Sequence, residues 1–310
     1  MTRLLVGTGK GLYQMEAALE EGSLPRPHGG ALADREVTAL VGDGAALWTV
    51  ADGKMVLGRQ GSGPWSEVAS APFELTCLLP TSSGLLAGAG EARLLRLEGG
   101  SLAPLEPFQR VEGRDSWYTP WGGPPAVRSL TQDRAGRLHV NVHVGGIPRS
   151  PDGGETWTPT IDVDADVHQV LAHPVREDLV LAATAVGLAV TEDGGDSWRF
   201  EHAGLHAAYC RAVAVCDGLV LVSASTGPSG RRAALYRAPL DDTANLERCT
   251  TGLPEWFDAN IDTGCLAAAG ATAAFGTADG SLFLSLDAGA TWEQVAADLP
   301  PVRSMLLSAG

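Results

Sequence analysis

Short apolar runs recur along the chain, and each is followed by a second apolar run and a glycine-containing turn. The runs are "VTALVG" (37–42), "LTCLLP" (75–80), "VRSLTQ" (127–132), "HQVLAH" (168–173), "CRAVAV" (210–215), "GCLAAA" (264–269) and "VRSMLL" (302–307). Apolar runs of this length between glycine turns are typical of strands joined as antiparallel meanders. The pattern therefore predicts seven similar sheets, each beginning at one of these runs.

The seventh run lies too near the C-terminus to be followed by partner strands of its own. The segment "LLVGTGKGLYQME" (4–16) matches "AAFGTADGSLFLS" (273–285), which follows the sixth run as a second and third strand. We therefore predict an all-β, seven-bladed β-propeller that forms one domain over 1–310. The C-terminal strand 302–307 is expected to close the ring by pairing with a strand near 3–8, since closure removes exposed sheet edges.

Three stretches share the frame S/T-x-D-x-G-x-T/S-W. They are "SPDGGETW" (150–157), "TEDGGDSW" (191–198) and "SLDAGATW" (285–292). A calcium loop needs oxygen ligands at alternating positions, and that alternation fails at Gly153 and Gly154. A turn suits the residues better, because Asp152 can accept hydrogen bonds from backbone N–H groups and Gly154 can adopt a positive φ. The frame is therefore interpreted as structural rather than as a catalytic or metal site.

These stretches resemble the Asp-box, or BNR, repeats of bacterial sialidase-like and glycosyl-hydrolase-like proteins and of sortilin-like propellers. The resemblance extends from "TPWGGPP" through "NVHVGGIPRS" and "GLHAAYC" to "GLPEWF", and thus covers most of the chain. It implies that each box is the turn between the two outer strands of a blade. It also implies that ligands bind on the opposite face, where the loops between blades lie. "IPRS" occurs only in mid-chain, whereas sialidases carry an R-I-P element near the N-terminus.

Charge and composition limit the classes of partner. The formal net charge is −15 and the pI is about 4.8, which argues against nucleic acid and anionic membrane surfaces as partners, because both require a basic face. The start "MTRLLVGTGKG" has no apolar signal segment, so a cytoplasmic location is expected. Five cysteines without C-x-x-C spacing are expected to be free thiols. A small molecule is the expected partner, and the oligomeric state stays open.

Two of the seven units are about ten residues longer than the others, and we place the excess in loops of the expected ligand face. The loops hold Trp117, Tyr118 and Trp121, then Arg231 and Arg232, and finally Trp256, Asp258, Asn260 and Asp262. Tryptophans beside carboxylates are typical of a binding cleft, although they could also plug the channel or cover a blade edge. Among these residues we predict Trp117, Tyr118, Trp121, Arg232, Trp256 and Asn260 to bind ligand.

Arg128, Arg211 and Arg303 occupy equivalent positions in three innermost strands. They could bind a carboxylate or phosphate at the mouth of the channel, and Arg211 is included in the predicted ligand-binding set for this reason. The alternative, favoured by their equivalent placement, is that they form ion pairs with acids such as Glu36 and Glu74.

Three histidines come from consecutive units on the expected ligand face. His143 ends a second strand, His168 begins an innermost strand and His206 lies in a loop between blades. Three converging imidazoles form a common ligand set for zinc, iron or copper, and Asp258 or Asp262 could serve as a further ligand or a general base. The alternative is that these histidines are polar residues lining a wet channel.

Three functions are consistent with these residues. The first is a metal-dependent enzyme acting on a small polar or aromatic metabolite, with a divalent transition metal on His143, His168 and His206. The second is a non-catalytic module that binds a ligand or protein through the loop aromatics. The third is a metal-free, glycosidase-like hydrolase that uses Asp258 and Asp262 as its catalytic acids.

Overall fold

The predicted apolar runs form the innermost strands of four-stranded antiparallel sheets in the computed structural model, which describes residues 2–17 and 26–309. The first eleven strands are β1 Thr2–Thr8, β2 Gly11–Ala17, β3 His28–Ala31, β4 Val37–Asp43, β5 Ala46–Ala51, β6 Met55–Gln60, β7 Ser66–Ser70, β8 Leu75–Thr81, β9 Gly84–Ala89, β10 Arg93–Glu98 and β11 Ser101–Pro104. The next eight are β12 Val127–Gln132, β13 Leu138–Val142, β14 Pro148–Ser150, β15 Thr158–Pro159, β16 Val167–Ala172, β17 Val180–Thr184, β18 Gly187–Thr191 and β19 Arg199–Glu201. The last nine are β20 Tyr209–Cys216, β21 Leu219–Ser225, β22 Ala234–Pro239, β23 Glu247–Arg248, β24 Leu266–Ala269, β25 Thr272–Gly276, β26 Leu282–Ser285, β27 Glu293–Ala296 and β28 Val302–Ala309. Short 3₁₀ helices cover Glu106–Arg110, Arg114–Ser116 and Val163–Ala165.

The fold is a seven-bladed β-propeller, and the predicted fold class is confirmed. Its blades have the strand orders β28-β1-β2-β3, β4-β5-β6-β7, β8-β9-β10-β11, β12-β13-β14-β15, β16-β17-β18-β19, β20-β21-β22-β23 and β24-β25-β26-β27. Each of the seven predicted apolar runs supplies the first strand in one of these orders. The reason is the meander itself, since each glycine turn returns the chain antiparallel to the strand before it.

The chain divides into two compact units, which are described separately. The first unit is formed by residues 1–40 and 201–310, and the second by residues 41–200. Blades β28-β1-β2-β3, β20–β23 and β24–β27 belong to the first unit, and the other four belong to the second apart from the first four residues of β4 and the last residue of β19. The expectation of one domain over 1–310 stays a prediction.

The predicted pairing of the C-terminal strand with the first strand is confirmed. Strand β28 pairs antiparallel with β1, with Thr2 opposite Ala309 and Leu4 opposite Leu307. Alternate side chains of both strands, among them Leu4 and Leu307, are buried in one apolar cluster with Met15. The blade is thus completed by residues from opposite ends of the sequence.

The middle strands of a blade are buried on both faces. Every residue of β17 and β18 is buried, which explains their almost continuous apolar sequences, because a strand buried on both faces has no reason to alternate apolar and polar residues. One core cluster of the first unit is aromatic: the ring of Phe275 stacks on Phe283 at 4.9 Å and meets Trp292 edge-on at 5.0 Å. This cluster combines residues of the β20–β23 and β24–β27 blades.

The three S/T-x-D-x-G-x-T/S-W stretches, here called the Asp-turns, connect the third and fourth strands of their blades. In the first, the Asp152 carboxylate accepts hydrogen bonds from the backbone N–H of Glu155 and Thr156 at 3.0 and 2.8 Å and from the Thr156 hydroxyl at 2.6 Å. The Ser150 hydroxyl donates to Asp152 at 2.8 Å and accepts from the Gly154 N–H. The same pattern occurs around Asp193 and Asp287. The prediction that these aspartates organise turns is confirmed.

Each Asp-turn also packs on the rest of its unit. Gly154 has φ 106° and lies so close to Leu105 that a Cβ would be 2.6 Å from its Cδ2. The backbone carbonyl of Gly153 accepts a hydrogen bond from Arg96 of the preceding blade at 2.7 Å. The Trp157 ring packs edge-on against Phe108 at 4.9 Å. The turns therefore hold neighbouring blades together.

Two further observations concern the environment of the chain. All five cysteines are free, and burial raises the pKa of Cys210 and Cys265 to about 12. Within the part of the chain that the structure describes, no helix reaches the length and apolarity that crossing a bilayer requires.

Candidate functional site

His143 and His168 meet at one carboxylate in the second unit. His143 follows strand β13, and His168 is the second residue of β16. The Nε2 atom of His143 lies 3.4 Å from Asp166 Oδ1, and that of His168 lies 3.6 Å from Asp166 Oδ2. The two imidazoles are 5% and 0% exposed. The structure therefore brings together two of the three predicted histidines, around an aspartate that the sequence analysis missed.

Asp166 has a backbone conformation that is rare outside glycine. Its φ is 46°, in the left-handed region, directly before the innermost strand β16. Burial acts to raise the pKa of its carboxyl group, but interaction with His168 and the charges of His143 and Arg128 outweigh this effect and hold the pKa below its ordinary value. Asp166 is therefore an ionised carboxylate between two buried imidazoles.

Two aromatic side chains of the 115–125 loop lie at the surface, one beside His143 and the other beside Asp164. Trp121 is 65% exposed, and its ring centroid is 5.2 Å from that of His143. The side chain of Tyr118 is also exposed, and its hydroxyl group donates a hydrogen bond to the Asp164 carboxylate at 3.5 Å. Trp121, His143, Asp166 and His168 are called the Asp166 cluster below.

Trp117 has a different environment from its two aromatic neighbours in the sequence. Its ring is half-buried, 5.9 Å from that of Phe108, and the guanidinium of Arg114 lies 4.9 Å from its centroid. These contacts anchor the loop on the apolar core of its blade. The packing explains Trp117 without a ligand, although its predicted role in binding stays untested.

His206 belongs to the first unit. Its Nδ1 atom is 2.7 Å from the hydroxyl of the buried Tyr236, and its ring lies 4.6 Å from that of Trp256. Burial is the main cause that lowers the pKa of His206, and the charges of Arg232 and Arg248 add to it. Among residues 2–17 and 26–309, no group of three or more His, Cys, Asp or Glu side chains is arranged to hold a metal ion. The three-histidine metal site stays a prediction.

Trp256 is surrounded by basic side chains. The guanidinium carbons of Arg232 and Arg248 lie 4.3 and 3.8 Å from its ring centroid. Its indole N–H donates to the neighbouring Glu255 at 3.1 Å. Arg248 is on the outer strand β23, and nothing in the repeat pattern singled it out.

The remaining candidates of the 252–263 loop have structural contacts. Asp262 accepts two hydrogen bonds from Arg211, from Nε at 2.8 Å and from Nη2 at 2.6 Å. Asn260 is 9% exposed and donates to the Pro228 carbonyl at 3.4 Å, whereas Asp258 is exposed. The catalytic roles of Asp258 and Asp262 stay predictions.

The interpretation of the inner-strand arginines as ion-pair partners is confirmed for two of the three. Arg211 pairs with Asp262, and Arg303 Nε donates to Glu36 at 3.1 Å. The third, Arg128, contributes its charge to the environment of Asp166.

Comparison with known proteins agrees with the fold. The GH74 enzyme of Niastella koreensis has a TM-score of 0.59 and 13% identity over 83% of this chain and 45% of that chain. The WD40 β-propeller domain of Doa1 has a TM-score of 0.59 and 16% identity, with 84% and 82% of the two chains covered. YCF48 from Cyanidioschyzon merolae has a TM-score of 0.58 and 15% identity, with 98% and 89% covered.

These neighbours include an enzyme and a WD40 domain, and identities this low show the fold alone. No protein-family model and no curated protein matches the sequence.

Proposed function

We propose that the protein binds a small, flat, polar molecule at the Asp166 cluster. The observation that carries this proposal is the carboxylate of Asp166, which lies between two buried imidazoles. Titratable groups that interact out of contact with water are concentrated at functional sites. The exposed ring of Trp121 beside His143 favours a binding role over a purely structural one.

The cluster supplies two kinds of contact to such a molecule. The exposed ring of Trp121 offers a stacking surface, and His143 lies beside it. The Asp166 carboxylate lies 3.4 and 3.6 Å from the Nε2 atoms of His143 and His168, and its negative charge would favour the tautomers protonated at those atoms. A ring stacked on Trp121 would place its polar substituents near a fixed imidazole.

The same arrangement suits a general base, so the proposed activity is enzymatic. A carboxylate that fixes the tautomer of a histidine also stabilises the imidazolium formed when that histidine accepts a proton. We assign that base to His143, because it lies beside the exposed Trp121, whereas His168 is fully buried. Asp166 acts through His143 as a positioning residue.

A ligand screen with matched variants tests this proposal. Melting temperatures are measured with a panel of nucleobases and aromatic carboxylic acids, and ligands that raise the melting temperature of the wild type are kept. Trp121→Ala and His143→Gln are expected to abolish the shift. Phe200→Ala removes another exposed aromatic ring of the same unit and is expected to retain it. Binding that survives both cluster substitutions would contradict the proposed site.

A metal-dependent enzyme is the second candidate, and only the types of its donor side chains support it, because among the described residues no three of them are arranged to hold an ion. Two imidazoles and one carboxylate form a ligand set that binds zinc and non-haem iron. His143 and His168 face different oxygens of Asp166, and His206 is hydrogen-bonded to Tyr236. The support is therefore the chemistry of His143, Asp166 and His168 alone. A bound ion would supply Lewis-acid activation of water or substrate.

Elemental analysis of the purified protein distinguishes the two candidates. The metal hypothesis expects near-stoichiometric zinc, iron or copper in the wild type and its loss in His168→Ala. His173→Ala is the control, because His173 accepts hydrogen bonds from the backbone of Val175 and Arg176 in a separate turn. If the purified protein contains no metal but still binds small molecules through Trp121, the metal-dependent enzyme is refuted and the small-molecule site at the Asp166 cluster is retained.

We further propose that the Asp-turns are Asp-box repeats of the BNR type and that the protein is cytoplasmic. The shared hydrogen-bond pattern of the three turns supports the first proposal. The five free cysteines support the second, since thiols stay reduced in that compartment.

A further inference from the structure

Two arginines of the first unit share one aromatic ring. Arg232, between β21 and β22, and Arg248, on β23, both place their guanidinium groups over Trp256. Guanidinium groups are weakly hydrated and stack well on indole, which makes this arrangement possible for two like charges. Each still repels the other, so the pair carries an electrostatic cost that an anion would remove.

Neither guanidinium has an acidic partner among residues 2–17 and 26–309. No carboxylate of those residues lies within 4.0 Å of Arg232 or Arg248, and the buried Nε of Arg248 has no hydrogen-bond partner there. Arg211 and Arg303 of the same unit are, by contrast, paired with acids. In a chain of net charge −15, acids are plentiful, so two adjacent unpaired arginines require a specific explanation.

Several contacts fix the positions of the residues around Arg232 and Arg248. Arg232 has φ 53°, a strained conformation for a residue other than glycine. His206 packs on the same indole, and its Nδ1 is held by the hydroxyl of Tyr236, which is 1% exposed. The indole and both arginines are thus positioned by contacts from three separate segments of the unit.

We propose that Arg232, Arg248 and Trp256 form a binding site for an oxyanion, the phosphate or carboxylate group of a small molecule. Guanidinium groups bind such groups through paired N–H donors, and two of them match an anion of one or two negative charges. Trp256 holds both guanidinium groups against its ring before the anion arrives, which reduces the entropy lost on binding. This site is independent of the Asp166 cluster.

Calorimetric titration with inorganic phosphate and with acetate tests the proposal. Ionic strength is held at about 0.1 M with NaCl, so that general screening is constant. We expect the wild type to bind at least one of the two anions. Arg248→Gln and Arg232→Gln are each expected to weaken binding at least about tenfold. Arg232 is exposed, so its variant should fold even if Arg248→Gln does not.

Arg237→Gln is the matched control. Arg237 follows Tyr236 in β22, so its side chain projects from the opposite face of the blade, and the charge change is the same. Unchanged binding in this variant supports the site, and binding of phosphate only or acetate only identifies the group that it prefers. Absence of binding by either anion, or equal weakening by Arg237→Gln, would overturn the proposal.

Discussion

The aspartates of the Asp-turns are worth more to stability than their exposure suggests. Asp193 lies at the surface, yet its carboxylate accepts from the backbone and hydroxyl of Ser197 at 2.9 and 2.6 Å and from the Thr191 hydroxyl at 2.7 Å. A single carboxylate thereby fixes both ends of a turn. A side chain that binds the backbone in this way stabilises the fold even though it buries no apolar surface.

Asp193→Ala is expected to lower the free energy of unfolding by about 1–2 kcal/mol, because these hydrogen bonds are lost together. Urea denaturation measures the change. The neighbouring Glu192→Ala is the control, since its contact with Arg199 is an exposed ion pair and should contribute little. Similar losses in both variants would show that the turn geometry is not responsible.

The same carboxylates make stability depend on acid pH. Hydrogen bonds from the side chain and backbone of Thr156 lower the pKa of Asp152 from 3.8 to about 2. A lowered folded-state pKa stabilises the fold above the unfolded-state value, and this contribution disappears as pH falls through the folded-state pKa. The urea midpoint of the wild type should therefore fall between about pH 4 and pH 2 more steeply than that of Asp152→Asn. A constant difference between the two proteins over this interval would contradict the assignment.

At the scale of the element, substitutions in the first Asp-turn measure how tightly it packs against the preceding blade. Gly153 and Gly154 both have positive φ, but only at Gly154 would a Cβ meet a neighbour, Leu105. Gly154→Ala is expected to lower the free energy of unfolding by about 1–3 kcal/mol from overpacking and backbone strain. Gly153→Ala should cost about 1 kcal/mol, from the left-handed conformation alone. Equal losses would show that Leu105 moves aside freely.

Elements were predictable from the sequence where the pattern repeats. The seven apolar runs and the three Asp-turns each recur in a common frame, so each copy supports the assignment of the others. Trp121, His143 and His168 were predictable because the repeat assigns their segments to one face. Asp166 lies outside any repeated frame, and nothing in the sequence distinguishes it from its neighbours Asp162 and Asp164. Arg248 lies on a two-residue outer strand without periodicity.

At the scale of the whole molecule, the blade completed by β28 is the feature on which the fold depends most. Removing residues 302–310 would leave β1 with an unpaired edge and expose the apolar cluster around Leu4 and Met15. We expect the truncated chain to aggregate, as measured by size-exclusion chromatography, because exposed strand edges template pairing with other chains. Removing only residues 309–310 takes away one register pair and should leave a folded monomer. A monomeric, cooperatively folding chain that lacks 302–310 would refute this account.

The pairing of β1 with β28 also sets an order of events during synthesis. A ribosome makes Leu4 long before Leu307, so the edge of β1 that pairs with β28 stays without its partner until β28 has been translated. Chaperones that shield nascent apolar segments are therefore expected to act on β1 and β2, whereas blades built from consecutive strands can form as they emerge. Closing a sheet over so great a sequence separation is slow as well, since the loop entropy is lost before the contacts form. Translation of β28 ends the period in which β1 lacks this partner.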